Sequence, residues 1–428
     1  MTVRLRMPTI PRMRQFLDLI PCEEADRILE RFAHRPGIEE VPLVEAHGRV
    51  LARGLTASES LPGWPRSRMD GYAVRAGDTT GASESMPGYL RVVGTVKMGE
   101  DASRRSPLQE GECAAISTGG MLHPGSDSVV MVEYTADAGD GKIEVMQAAA
   151  VGQHIQLAGE DVRSGMRLLE PGVRLGAPEI AVLATFGVLP TPVFKRPRVA
   201  IVSTGDEIVP ADSYPRPGQV RDSNSYSMAS QILAAGGEPI LCGRVEDEAD
   251  SLATAIRKTL DDGADVVMVS GGSSVGARDV TAEVLDSLGP PGILLHGINV
   301  KPGKPTIVAA VGETPLLGMP GYPVSSMIIF HRFIRPLIWR LSGLSPLPDP
   351  FPVVATARLG RSLHSRGGRE EYVRVSLADA DDGGSPIATP LLGGSASFTS
   401  LLGADGLVRV DSNVEGMDQG ASVKVLAL

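Results

Sequence analysis

Asp206, Glu207, Asp279, Lys301 and Lys304 each stand a few residues beyond a short apolar run, in loops rich in glycine, proline or serine. The clearest case runs from Asp265 to Asp279. Val266 to Val269 is a continuous apolar run of the length and branching of a strand buried on both faces. Ser270, Gly271, Gly272, Ser273, Ser274 and Gly276 follow, small residues that let a backbone bend sharply and come close to a ligand. Asp279 is then expected to cap a helix in which Val280, Val284, Leu285 and Leu288 recur at helical spacing. Strand, glycine-rich turn and helix start make an anion cradle, because the turn amides and the helix dipole converge on one spot. Alone, such a turn is as readily a plain tight connection.

The neighbouring runs repeat the arrangement. Val199 to Val202 leads into Ser203-Thr-Gly-Asp-Glu207. Ile293 to Val300 leads into Lys301-Pro-Gly-Lys-Pro305, and Leu316-Leu317 into Met319-Pro-Gly-Tyr-Pro323. In a parallel α/β sheet the strand C-termini share one edge, where ligands bind. The four loops are therefore expected to meet there. Lysines beside carboxylates suit a phosphorylated ligand held partly through Mg²⁺; the alternative is a set of solvated loop charges.

A chain of 428 residues has room for three or four domains. An apolar fraction of 42% with a formal charge of −10 fits a soluble globular protein and argues against a general nucleic-acid binder. Aromatics are only 4%, while glycine (50) and proline (33) abound, which suggests turn-rich β modules beside an α/β unit. Cys22, Cys113 and Cys242 form no metal spacing and no CxxC, so a reducing cytoplasm is expected. Residues 1–14 carry four arginines but no apolar segment, and read as a loose extension and not a secretory signal. The best membrane candidate, Val324 to Leu341, is broken by His331, Arg332, Arg335 and Arg340.

In chain order, residues 15–60 look partly helical, with Ala25, Ile28, Leu29 and Phe32 on one face and a second helix expected over Ala46 to Leu55. From Leu61 the texture changes to short strands and turns: Leu90 to Val96, Glu112 to Ile116, Ser128 to Glu133 and Lys142 to Met146. Within it lie two denser patches, one around Asp70 and one at Ile116-Ser-Thr-Gly-Gly120. A helix is expected over Pro178 to Phe186. Residues 195–342 alternate strand and helix, the texture of a three-layer sandwich. After Pro346 to Pro350 the chain becomes all-β: Val353 to Leu359, Tyr372 to Leu377, Leu407 to Val410 and Ser422 to Leu426 suggest a small closed sheet.

Several familiar sites are excluded. The glycines near Lys304 have the wrong spacing for a nucleotide P-loop, and Pro305 stands where that loop needs a hydroxyl. There is no GxGxxG and no HExxH, and no GxSxG elbow opens the α/β unit. What does fit is a family. Asp70-Gly-Tyr-Ala, Ser203 to Glu207, Asp222-Ser-Asn224, Ser270 to Asp279, Lys301 to Pro305 and Pro320 to Pro323 closely resemble, in this order, the molybdopterin molybdotransferases, to which the gephyrin E domain is related.

The resemblance implies a multidomain α/β plus β fold. Its parts would be an elongated mixed domain from residues 15–60 and 151–190, a β-rich insertion at 61–150, an α/β molybdopterin-binding domain at 195–342, and a C-terminal small β-barrel at 350–428. It implies a transferase of molybdenum cofactor biosynthesis, which inserts molybdate into adenylylated molybdopterin with a divalent cation and releases AMP. It further implies a homodimer in which Asp70 and Thr118 face the partner copy's Gly272 loop. The turn amides of Ser270 to Gly276 and the Pro320, Gly321, Tyr322, Pro323 turn would hold phosphates, with Pro302, Gly303, Lys304 and Pro305 beside them. Asp206, Glu207, Asp247 and Asp279 are the candidates for Mg²⁺ or for orienting the attacking group. Lys301, Lys304, Arg369 and Ser400 are the candidates for molybdate. Adenylyltransferases that make the substrate and maturation proteins that take the product are possible partners; nucleic acid and membrane are not. A gephyrin-like scaffold without catalysis, a paralogue with another oxyanion or substrate, and molybdopterin adenylylation remain the alternatives. Tyr322, ahead of Pro323, is expected in the extended region.

Overall fold

In a computed structural model of the chain, residues 19–32, 36–271, 280–381, 383–391 and 393–428 are described. The readings of residues 1–14 and of Gly272, Ser273, Ser274, Gly276 and Asp279 fall outside them. The chain divides into two compact units: residues 54–170 with 182–188, and the remainder.

The first of these units is built on a six-stranded sheet. Its order is Ser128–Met131, Gly71–Val74, Glu112–Ile116, Gly88–Val96, Lys142–Val145 and Thr135–Gly139. Period-2 alternation sends Val74, Cys113 and Val130 into one core and Ala73, Ala114 and Val129 into another, so this sheet is covered on both faces. All four strands expected here form, within two residues at either end.

The larger unit contains a second six-stranded sheet, in the order Glu238–Val245, Arg198–Thr204, Val266–Ser270, Thr314–Met319, Ile307–Val311 and Pro291–His296. The first four strands are parallel. Ile307–Val311 runs antiparallel to both its neighbours, so the sheet is mixed and not parallel throughout. This strand makes a tight hairpin with Thr314–Met319 around Gly312, whose φ of 58° suits a two-residue turn. Val199 to Val202 and Val266 to Val269 are fully buried, because helices cover both faces. Asn224–Ala235 and the helical rod from Pro323 to Leu341 lie on one side, with Cys22–Leu29 in the same core. Ala249–Asp261 and Val280–Ser287 lie on the other.

The helix expected over Ala46 to Leu55 does not form. Gly48 adopts a φ of 74°, and its N–H reaches the carbonyl of Leu175. Val50 and Leu51 then bridge to Arg174 and Val193, so the backbone bonds go to neighbouring chain and not to a helix ladder. β-branching at Val50 suits that outcome.

The C-terminal part closes into a five-stranded barrel. Glu370–Ala378 pairs with both Ile387–Pro390 and Gly406–Val410; Val353–Leu359 and Ser422–Leu426 complete the ring. One further strand joins it from the α/β part: Val300–Lys301 pairs in parallel with Glu370 and Glu371. No helix among the described residues is long and apolar enough to cross a membrane.

Candidate functional site

The parallel strands end together, so the loops after Thr204, Ser270 and Met319 converge on one edge. Two of these approaches are forced by glycine. Gly271 has a φ of 112°, and a Cβ there would lie 2.0 Å from the Thr204 carbonyl oxygen. At Gly303, φ is 125° and a Cβ would lie 2.5 Å from Ile329. By contrast a Cβ on Gly321 would meet nothing within 4 Å. Gly271→Ala should therefore destabilise the chain by roughly 2–4 kcal/mol and Gly321→Ala by less than about 1 kcal/mol, compared by urea unfolding.

Asn224 ties these turns together. Its amide donates to the Gly321 carbonyl at 2.8 Å and to Ser270 Oγ at 3.3 Å. Asp222, two residues before, accepts the Ser225 N–H at 3.0 Å and its hydroxyl at 2.6 Å, fixing the helix start that carries Asn224. Tyr322 takes the extended conformation expected of it, φ −78° and ψ 134°. The Val324 N–H behind it is bonded to the Ser395 carbonyl, so barrel and helix start are in contact.

Between this edge and the barrel lies a cleft of 1230 Å³. Ser270, Gly271, Lys301 to Pro305, Pro320 to Pro323 and Glu207 all line it. Of the other candidate carboxylates, Asp206 and Asp247 do not line it. Asp206 has an 86% exposed side chain and sits 3.8 Å from Arg244. Asp247 accepts the Thr204 hydroxyl at 3.3 Å. Among the described residues, no group of three or more His, Cys, Asp or Glu side chains is placed to hold a metal. In the smaller unit the structure does bring Asp70 and Thr118 together: the Asp70 carboxylate accepts the Thr118 N–H at 2.8 Å.

On the barrel side Arg369 and Ser400 do not share a partner. Arg369 does not line the cleft; it donates to the Glu371 carboxylate at 3.3 Å. Ser400 Oγ instead accepts a bond from Arg374, which does line the cleft. Arg374 is only 8% exposed, and its other bond, 2.7 Å, is to the Gly393 carbonyl. Both partners are neutral. Burial pulls this guanidinium below its ordinary pKa. A buried cation without a counter-ion among the described residues, at the wall of a cleft, is a place for an anion. Sequence reasoning passed over Arg374 and Glu371, and named Asn224 only within the Asp222-Ser-Asn224 motif, without a role. The sign of Arg374 was an arginine inside the otherwise apolar run Tyr372 to Val375.

Behind this wall, Arg332 on the helical rod donates to both oxygens of Asp26 at 2.8 Å and approaches Glu370 at 3.3 Å. Tyr372 donates to Glu370 at 2.7 Å. Burial opposes the charge on Glu370, but Arg332 and Tyr372 hold it below the usual carboxylate range.

A mixed α/β sheet with a cleft at its C-terminal edge, walled by a barrel, defines a ligand-binding α/β protein with β modules attached. Three family models match it in sequence: "MoeA N-terminal region (domain I and II)" over residues 20–187, "Probable molybdopterin binding domain" over 200–340, and "MoeA C-terminal region (domain IV)" over 356–428. Curated relatives include a molybdopterin molybdenumtransferase of Nostoc, 38% identical over 79% of this chain and 77% of its own length. Another, from Bacillus subtilis, is 31% identical over 96% and 94%. Two solved structures of molybdopterin biosynthesis MoeA proteins from Pyrococcus horikoshii are similar. One has TM-score 0.80 and 36% identity over 96% of this chain and 99% of its own. The other has TM-score 0.82 and 29% identity over 96% and 100%. The chain belongs to the molybdopterin molybdenumtransferase family.

Proposed function

We propose that this chain is a transferase of molybdenum cofactor biosynthesis that inserts molybdate into adenylylated molybdopterin, releasing AMP and the molybdenum cofactor. The observation that carries the reading is Arg374, a buried cation without a counter-ion among the described residues, which faces the same cleft as the sheet-edge turns. Phosphate groups would lie against Ser270, Gly271 and the Pro320–Pro323 turn; the family resemblance adds Gly272, Ser273, Ser274 and Gly276 as further candidates to bind them. The oxyanion would lie among Lys301, Lys304 and Arg374, with Ser400 orienting the guanidinium. Such a site works by fixing charge and geometry before the reaction and needs no covalent nucleophile. The direct test supplies purified chain with adenylylated molybdopterin and molybdate. Appearance of AMP together with the cofactor is the expected result; AMP and cofactor both absent with saturating substrates would remove this function.

Mg²⁺ suits the cleft in the manner of a cation that keeps its waters and binds one or two carboxylates plus substrate phosphates. Glu207 is the candidate that lines the cleft, with Asp206, Asp247 and Asp279 as the others. When bound, the ion would offset phosphate charge. The chain would work in the cytoplasm, where the free thiols of Cys22, Cys113 and Cys242 stay reduced.

The same reading includes a homodimer in which Asp70 and Thr118 of one copy serve the other's cleft. What supports it is the family resemblance and the bond by which Asp70 orders the Thr118 turn. Asp70→Ala and Asp279→Asn chains, each inactive alone, should regain about half of the wild-type rate in isolated heterodimers, since one of two composite sites is then intact, and about a quarter in a randomly paired equimolar mixture. Verified heterodimers without recovery would place each site within one chain.

A further inference from the structure

Glu371 has no role in the reading above, yet it is the most heavily bonded carboxylate at the cleft. Its side chain is 9% exposed, and three donors from three places in the sequence meet on it. Lys301 Nζ donates to one oxygen; Ser365 Oγ, at 2.8 Å, and Arg369, at 3.3 Å, donate to the other. The parallel pairing of Lys301 with Glu371 sets this up, because it puts the two residues side by side on adjacent strands. Glu370, the preceding residue, points the other way, to Arg332 and Tyr372. The strand end is thus held from both faces. Lys301 itself is half exposed and would otherwise sample many rotamers along its four-carbon stem.

We propose that Glu371 is a positioning residue: it holds the Lys301 ammonium at the cleft wall, in place for the oxyanion. This rests on the oxyanion-handling function proposed above. Two effects of the carboxylate oppose each other. Its charge repels an oxyanion, but Lys301 and Arg369 already neutralise it, and a contact to a neutralised group is weak. Its bond to Lys301 fixes a flexible cation, and charge-assisted bonds of this kind are the strong ones. The second effect wins, so removing the carboxylate weakens oxyanion binding.

The test is a double-mutant cycle on the full chain, reading molybdate affinity by equilibrium dialysis and turnover at saturating molybdate. Lys301→Ala and Glu371→Gln should each weaken molybdate binding about tenfold, and the double variant should be within about twofold of Lys301→Ala, because Glu371 acts through Lys301. Turnover at saturation should fall much less than affinity in Glu371→Gln. Glu371→Asp guards against a folding defect: it keeps the charge that offsets Arg369 but is one methylene short of Lys301, and should behave like Glu371→Gln. Additive losses in the cycle, or unchanged affinity in both Glu371 variants, would overturn the positioning role while leaving the oxyanion reading intact. Failure of the wild-type chain to bind or turn over molybdate would overturn that reading, and this inference with it.

Discussion

Arg374→Ala is expected to lower turnover at least ~100-fold at limiting molybdate, a loss of roughly 2.7 kcal/mol of transition-state stabilisation or more. The reason lies in the balance of charges around this side chain. Arg374 is buried, yet its bonds go to the Ser400 hydroxyl and the Gly393 carbonyl, neither of which offsets its charge. Its burial is therefore a standing cost that an anion relieves. Two consequences separate this from a merely structural arginine. Stability should change little in Arg374→Ala, because the lost neutral bonds are balanced by removal of an unpaired buried charge. Arg332→Ala, which strips a guanidinium from Asp26 and Glu370, should by contrast destabilise by roughly 3–5 kcal/mol. Arg374→Lys should recover only part of the activity, since one ammonium cannot match a fork that meets Ser400, Gly393 and an oxyanion together. Turnover of Arg374→Ala within about fivefold of wild type would remove Arg374 from the site.

Acid should begin to destabilise the larger unit below pH 6.5, above the ordinary carboxylate range, and His331 should be the cause. This ring sits on the helical rod, 9% exposed, stacked against Phe351 at 6.1 Å and edge-on to Phe330 at 6.2 Å. Its Nδ1 has no hydrogen-bond partner among the described residues. Burial, with Arg335 nearby adding to it, pushes its pKa from 6.5 down to about 3. Between those two values the unfolded chain holds a proton on this ring that the folded chain refuses. Stability is thus whole above pH 6.5 and falls as pH drops toward 3, by roughly 5 kcal/mol at the lower end. Glu370, behind Phe351 and Tyr372, adds loss in the same direction, but only below the ordinary carboxylate range. His331→Phe keeps the stacking and removes the proton site. Urea midpoints from pH 7 to pH 4 should fall steeply in the wild-type chain and much less in the variant; parallel curves would show that His331 is not the group responsible.

What could be read beforehand follows a physical line. Val266 to Ser270 and Val199 to Val202 were legible because a run buried on both faces needs no partner to identify it. The turn after Thr204 was legible because small residues there have few other uses; residues 272–279, after the other run, lie outside the described residues. Ile307–Val311 was not read as a strand. It follows directly on the Lys301–Pro305 loop, and its role depends on a hairpin with Thr314–Met319 that only pairing reveals. Ala46 to Leu55 has helical spacing, but Gly48 and the bridges of Val50 and Leu51 decided otherwise. Within Arg369 to Arg374, motif reading selected the first arginine. The direction of each side chain on the barrel wall placed the last one in the cleft and turned the first toward Glu371.

The pairing of Val300–Lys301 with Glu370 and Glu371 also bears on how the cleft can open. A rigid body hung from a single covalent link swings freely about it. The barrel has such a link, the chain from Ser342 to Pro352, but it is pinned again where that short strand joins it. Asn299 accepts the Glu370 N–H at 3.0 Å at this second point, and Arg332 stiffens it from behind. Two anchors leave only rotation about the line between them. The barrel therefore serves as a jaw with one remaining axis, and room for an incoming ligand has to come from that rotation or from the loops that face it.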